Sequence, residues 1–197
     1  MQAKDAAAAA WSYLETRAGR HGNDADAYFH MAVLNKENRD NHLKYARMAV
    51  LTGQATHEHV NELGLALLAH HKLDQALQQF DRAIQTQPAF GPAHLNRSAV
   101  LAKRGQYRQA LAACDQALQF MPNDPSAWRN RGKLLDVLGR TRESIAANER
   151  AFALAPRDAP LTRKIAVQSV SQGEMVRAHA HYDAFQRILG KKVDLNV

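Results

Sequence analysis

The sequence predicts an all-α fold made of repeated helix pairs, and three observations predict it. Pro88, Pro122 and Pro156 stand 34 residues apart, and Ala83, Ala117 and Ala151 precede them with the same spacing. Gly64, Ser98 and Gly132 keep that phase, as do Leu67, Leu101 and Leu135, and Ala76, Ala110 and Ser144. Gly105, Gly139 and Gly173 punctuate each period near its middle. Self-similarity at a fixed period of this length marks a stacked repeat, in which each unit buries its apolar face only against its neighbours.

The elements follow in order. Residues 1–22 predict one helix, carrying an alanine run at 6–10 before Trp11 and Tyr13. Residues 23–56 form a degenerate repeat that keeps Phe29, Val33, Ala46 and Ala49 but places His42 in a small-residue slot. Three clear repeats span 57–90, 91–124 and 125–158. In each, small residues let two helices approach, while Leu67, Leu77, Leu101, Leu111, Leu135 and Ile145 fill the groove between them at helical spacing. The mid-period glycines suit a helix C-terminus. The prolines end the second helix because they cannot continue its hydrogen-bond ladder. Asp124 before Pro125 reads as an N-cap with proline at the first helical position. Residues 159–192 give a degenerate capping repeat with Ala166, Gly173, Ala178 and Tyr182 in phase, and 193–197 a short tail.

On these small, large-apolar and proline slots, with Trp128 as a bulky first anchor, the chain resembles the tetratricopeptide-repeat family. The resemblance implies one right-handed superhelical solenoid of antiparallel helix pairs over 1–197. It also implies a protein-holding role, with the first helix of each pair lining a concave groove. Several slots depart from the pattern. His94 takes the bulky-anchor slot, Asn148 an aromatic slot held elsewhere by Phe80 and Tyr182, and Arg97 and Arg131 a slot where Leu63 and Ile165 appear. A buried, unpaired amide costs about 1–3 kcal/mol, so Asn148 must find a partner or lie near the rim.

Composition narrows the function. No apolar stretch is long enough to span a bilayer, and the N-terminal alanine run, with Asp5 before it and Glu15 after it, lacks the basic start and apolar core of a signal peptide. A single cysteine, Cys114, permits no intramolecular disulfide and fits a reducing, cytoplasmic setting; it falls in a core slot. The histidine pairs His57 and His59, His70 and His71, and His179 and His181 do not converge as zinc ligands would, and no metal or cofactor is expected. There is no phosphate loop, HExxH or nucleophile motif, which points away from an enzyme.

Net charge is +7 and uneven, at +1 over 1–56, −2 over 57–90, +2 over 91–124, +3 over 125–158 and +3 over 159–197. Such asymmetry favours an acidic partner. The slots that the resemblance turns to the groove hold Asn61 and Glu62 in the first clear repeat, Asn96 and Lys103 in the second, Arg129, Asn130, Lys133 and Asp136 in the third, and Arg163 and Lys164 in the last. Asparagines at one slot, Asn96 and Asn130, can pair with the backbone of an extended peptide. Lys103, Arg129, Lys133, Arg163 and Lys164, opposed only by Asp136, can hold carboxylates through charge-assisted bonds. The expected partner is therefore a protein with an acidic or extended segment. The fixed lysine, asparagine and arginine set by which some relatives clamp chaperone tails is not reproduced, because Leu95 and Pro160 stand where lysines would be. An RNA-binding helical-repeat protein is the alternative, prompted by a sequence pI of about 9.8, but the groove slots offer almost no aromatic platform for bases. A third possibility is self-association through exposed end helices, with Val176, Tyr182, Phe185 and Ile188 on the last one.

Overall fold

The structure, a computed structural model, describes residues 2–21 and 24–190, with side chains from 9–19 and 24–190. The tail at 193–197 and the last two residues of the 159–192 repeat lie outside the described residues. Among those described, all regular structure is helical: α1 (Gln2–His21), α2 (Ala25–Leu34), α3 (Arg39–Leu51), α4 (His57–Ala69), α5 (Leu73–Thr86), α6 (Gly91–Lys103), α7 (Tyr107–Phe120), α8 (Pro125–Val137), α9 (Thr141–Leu154), α10 (Ala159–Ser171) and α11 (Met175–Ile188). The chain divides into two compact units, Met1–Arg104 and Gly105–Val197.

Local chemistry sets the helix ends. α4, α8 and α10 close with the same left-handed turn. Lys72 N–H donates to Leu67 O at 3.0 Å, Arg140 N–H to Leu135 O at 2.9 Å, and Glu174 N–H to Ser169 O at 2.9 Å. The residue before each donor has positive φ: Gly139 at 73° and Gly173 at 75°, but His71 at 59°. Glycine adopts this conformation without Cβ strain, whereas histidine is held there by the turn around it. At the starts of helices, Asp124 accepts the N–H groups of Ser126 and Ala127 at 2.7 and 3.0 Å, as the sequence predicts, and Asp158 accepts that of Leu161 at 3.0 Å.

In the N-terminal unit one core gathers Ala32, Leu43 and Ala46 with Leu63, Ala66, Leu67, Ala76, Phe80 and Val100. A smaller cluster seats α1 on α2 through Leu14, Ala18, Ala27 and Met31. In the C-terminal unit Ile145 and Ala151 of α9 pack on Leu161 and Ile165 of α10, with Trp128 and Phe152 against them.

The small-residue slots sit at helix crossings. A Cβ on Gly64 would stand 2.5 Å from Cε1 of the fully buried Phe80 ring, and one on Gly132 would overlap Oδ1 of Asn148. Gly64 and Gly132 are thus required by what lies 16 residues on. Ala166 has the same phase and does carry a Cβ, which denies that seat to an aromatic ring; Tyr182 is 51% exposed.

Candidate functional site

The slots that break the repeat pattern are reconciled by pairing. Arg97 Nε donates to Asp81 Oδ1 at 2.6 Å, joining α6 to α5. Arg131 Nε donates to Asp115 Oδ1 at 2.7 Å, joining α8 to α7. These are one interaction repeated at the 34-residue period, and the guanidinium in a nominally apolar slot is matched to an acid on the preceding helix. His94 is reconciled likewise. Its Nε2–H donates to Pro88 O at 2.9 Å, as the Trp128 indole N–H donates to Pro122 O at 2.8 Å.

Asn148 is fully buried, not at the rim. Its Nδ2 donates to Ser144 Oγ at 3.1 Å and to Gln168 Oε1 at 3.4 Å, while Oδ1 has no hydrogen-bond partner. Ser144 Oγ–H donates on to Gly132 O at 3.0 Å. Gln168 Nε2 donates to Asp136 Oδ1 at 2.6 Å, and Asp136 pairs with Lys164. A polar chain therefore runs from the core of the C-terminal unit to two predicted groove positions.

On the facing helices α8 and α10 the predicted cations divide into two kinds. Arg129 pairs with Asp158, and Lys164 with Asp136. Asp136 is therefore not the only acid opposing the basic cluster; Asp158, placed just before α10, neutralises Arg129. Lys133 and Arg163 are exposed, and neither takes part in an ion pair among the described residues. Val137, one turn after Lys133, and Val167 and Val170, one and two turns after Arg163, are exposed as well. Asn130 is partly buried.

In the N-terminal unit the predicted groove slots are more closed. Asn96 Nδ2 donates to the buried Asn61 Oδ1 at 2.9 Å, so part of its amide is already engaged, while Lys103 is exposed. Glu62 is buried and meets His42 Nε2 at 2.8 Å and Lys36 Nζ at 3.2 Å. Burial pushes the Glu62 carboxyl up, but the hydrogen bond from His42 and the charge of Lys36 together outweigh it and hold the group below its ordinary range. His42, in its small-residue slot, thus has a carboxylate to fill the adjoining space; its Nδ1 is buried without a partner. A second histidine fastens α4 to α2. His59 Nδ1 accepts the N–H of Thr56 at 3.0 Å, which leaves Nε2–H to donate to Asp26 at 3.1 Å. Among the described residues no cluster of His, Cys, Asp and Glu could hold a metal ion, and no helix is long and apolar enough to cross a membrane. Cys114 is buried, with its Sγ 3.4 Å from Ala127 O.

With this geometry in view, the comparisons with known proteins decide the family of the repeat. The tetratricopeptide-repeat family model matches residues 67–134. This segment is tetratricopeptide-repeat sequence. The whole-chain likenesses show the fold. MamA (residues 41 to the end) from Desulfovibrio magneticus RS-1 superposes with a TM-score of 0.71 at 21% identity, covering 84% of this chain and 95% of that one. A second MamA crystal structure gives 0.71 at 14% identity, covering 89% and 97%. YrrB, described as a tetratricopeptide protein with an unusual peptide-binding site, gives 0.67 at 18% identity, covering 90% and 92%. No curated protein matches the chain. The all-α, tetratricopeptide-like fold is the one the sequence predicts. The signals for the Arg–Asp joints were present in the sequence, since Asp81 and Asp115 share the period of Arg97 and Arg131.

Proposed function

We propose that the chain is a non-catalytic protein-binding scaffold, working in the cytoplasm, that holds an acidic, extended segment of a partner protein. The observation that carries this reading is the face of α8 and α10, where the exposed cations Lys133 and Arg163 stand beside exposed Val137, Val167 and Val170. Carboxylates would meet the two cations, and aliphatic side chains between them would cover the valines. Arg129 and Lys164 contribute field and position more than direct contacts, because Asp158 and Asp136 already hold them. Asn130 offers an amide to the ligand backbone. In the N-terminal unit, taken by itself, Asn96 and Lys103 occupy the corresponding slots. The tetratricopeptide segment and the peptide-binding description of YrrB support a protein ligand.

Fluorescence anisotropy with a labelled peptide of alternating glutamate and valine tests this reading. The double substitution Lys133→Glu with Arg163→Glu is expected to weaken binding at least tenfold, while the wild-type complex loosens as salt is raised. Unchanged affinity in the double variant would remove this face from consideration. A single-stranded RNA complex that survives physiological salt would favour the RNA-binding alternative instead.

A further inference from the structure

Three contacts fix how α8 and α10 lie against each other. Arg129 pairs with Asp158, 29 residues on, and Asp136 meets Lys164 and Gln168, 28 and 32 residues on. The two helices advance together through these contacts, so they run parallel with an offset of about 30 residues. Lys133 and Arg163 have that offset, as do Val137 and Val167. Each of these pairs is one rung across the two helices, and all four side chains are exposed. At about 100° per residue, Lys133 and Val137 lie about 60° and 100° round α8 from Asp136, which faces α10. Arg163 and Val167 lie about 100° and 60° round α10 from Lys164, in the opposite sense. Opposite turns on facing parallel helices bring both rungs to one side of the pair.

We infer that this face recognises one acidic side chain between Lys133 and Arg163 and one aliphatic side chain, two residues away in an extended ligand, against Val137 and Val167. The inference rests on the acidic-segment reading of the same face and narrows its ligand. The two rungs are four residues, about 6 Å, apart along the helices. An extended chain sets side chains i and i+2 on one face at about 7 Å, which matches that step. Charge limits the ligand to a single acid at this place. The rungs on either side of the free cations already carry carboxylates, Asp158 beside Arg129 and Asp136 beside Lys164. A second ligand carboxylate would meet one of those acids instead of a free cation. A second copy of this chain does not supply the pattern. Of its acids outside the described helices, Asp24, Glu37, Asp124, Asp158, Glu174 and Asp194, Glu174 alone has a valine, leucine or isoleucine two residues away. That residue, Val176, belongs to α11, and Arg177 holds the Glu174 carboxylate. The occupant is a segment of another protein.

Fluorescence anisotropy on the full chain tests the spacing with two labelled peptides of equal composition. Three copies of Glu-Ser-Val-Ser set acid and valine on one face in either chain direction, and three copies of Glu-Val-Ser-Ser set them on opposite faces. The first is expected to bind at least fivefold tighter. Val137→Ser with Val167→Ser should bring the two peptides to equal affinity, and circular dichroism checks that the variant keeps its helices. Lys133→Glu with Arg163→Glu should weaken the first peptide at least tenfold and take up three copies of Lys-Ser-Val-Ser instead. Equal affinities of the two peptides for the wild-type chain, or a preference that survives loss of the valines, would overturn the spacing and leave the acidic-segment reading in place. Failure of every acidic peptide to bind, the alternating glutamate and valine peptide included, would remove that reading and this inference together.

Discussion

The two units make the same helix crossing in different ways. In the N-terminal unit Gly64 makes room for Phe80, whose ring is fully buried with Ala76 one turn before it. In the C-terminal unit Gly132 makes room for Asn148, equally buried, with Ser144 in place of that alanine and Gln168 reaching in from the next helix. One solution is apolar and self-contained. The other is polar and depends on a second and a third side chain. The glycine is common to both because it answers to the closeness of the helices, not to the chemistry of the residue they enclose. The polar version connects the core to Asp136 and Lys164 on the proposed binding face, a connection that the apolar version cannot provide.

Exchanging the two solutions should break the comparison most sharply. Phe80→Asn puts an amide where Ala76 and the surrounding core offer no partner, and loses a buried ring. It is expected to cost about 3–5 kcal/mol in denaturant unfolding. The reverse experiment, Asn148→Leu, removes an amide whose Oδ1 is already unpaired, and stability should stay within about 1 kcal/mol of wild type. A large loss there would mean that the polar chain holds the C-terminal unit together.

Next in size is the buried carboxylate of the N-terminal unit. Because the Glu62 carboxyl is held below its ordinary range, the folded state binds fewer protons than the unfolded one as the group titrates. Its contribution is complete above the unfolded value and is lost as pH falls through the folded one. Glu62→Gln should cost about 1–3 kcal/mol at neutral pH and flatten the acid limb of the stability profile below about pH 4.5. Chemical denaturation repeated from pH 3 to 7 measures both effects.

Smaller, and of opposite sign, is the turn after α4. His71 occupies the left-handed place that Gly139 and Gly173 fill in the C-terminal unit. His71→Gly is expected to stabilise by about 0.5–1 kcal/mol, seen as a rise of a few degrees in Tm. The smallest effect should come from the Arg–Asp joints. Arg131→Leu restores the Leu63 and Ile165 pattern and removes a partly exposed ion pair, which is worth about 1 kcal/mol or less.

The repeat could be read from the chain because every period has the same problem to solve. Two helices must approach, stop and turn, and only small residues, leucine, glycine and proline do those jobs at fixed places. The fate of Asn148 could not be read. Its partners come from its own helix at Ser144 and from Gln168, 20 residues away; Gln168 stands in the phase of the buried Val100 and Leu134, which marks it as inward-facing but does not single out Asn148 as its partner. The pairing of Arg129 with Asp158 escaped for a related reason. Asp158 lies just outside the inner-face slots, in the turn that starts α10. His71 was legible, since it shares the phase of Gly105, Gly139 and Gly173.

Asp158 serves two masters at once, and this gives the molecule a built-in reporter. One of its oxygens receives the Leu161 N–H at the start of α10, while the other faces the Arg129 guanidinium. A carboxylate ligand drawn to Arg129 would compete for that guanidinium and leave Asp158 to the helix start alone. The exchange rate of a single amide hydrogen, that of Leu161, would then register occupancy of the binding face without any label on either protein.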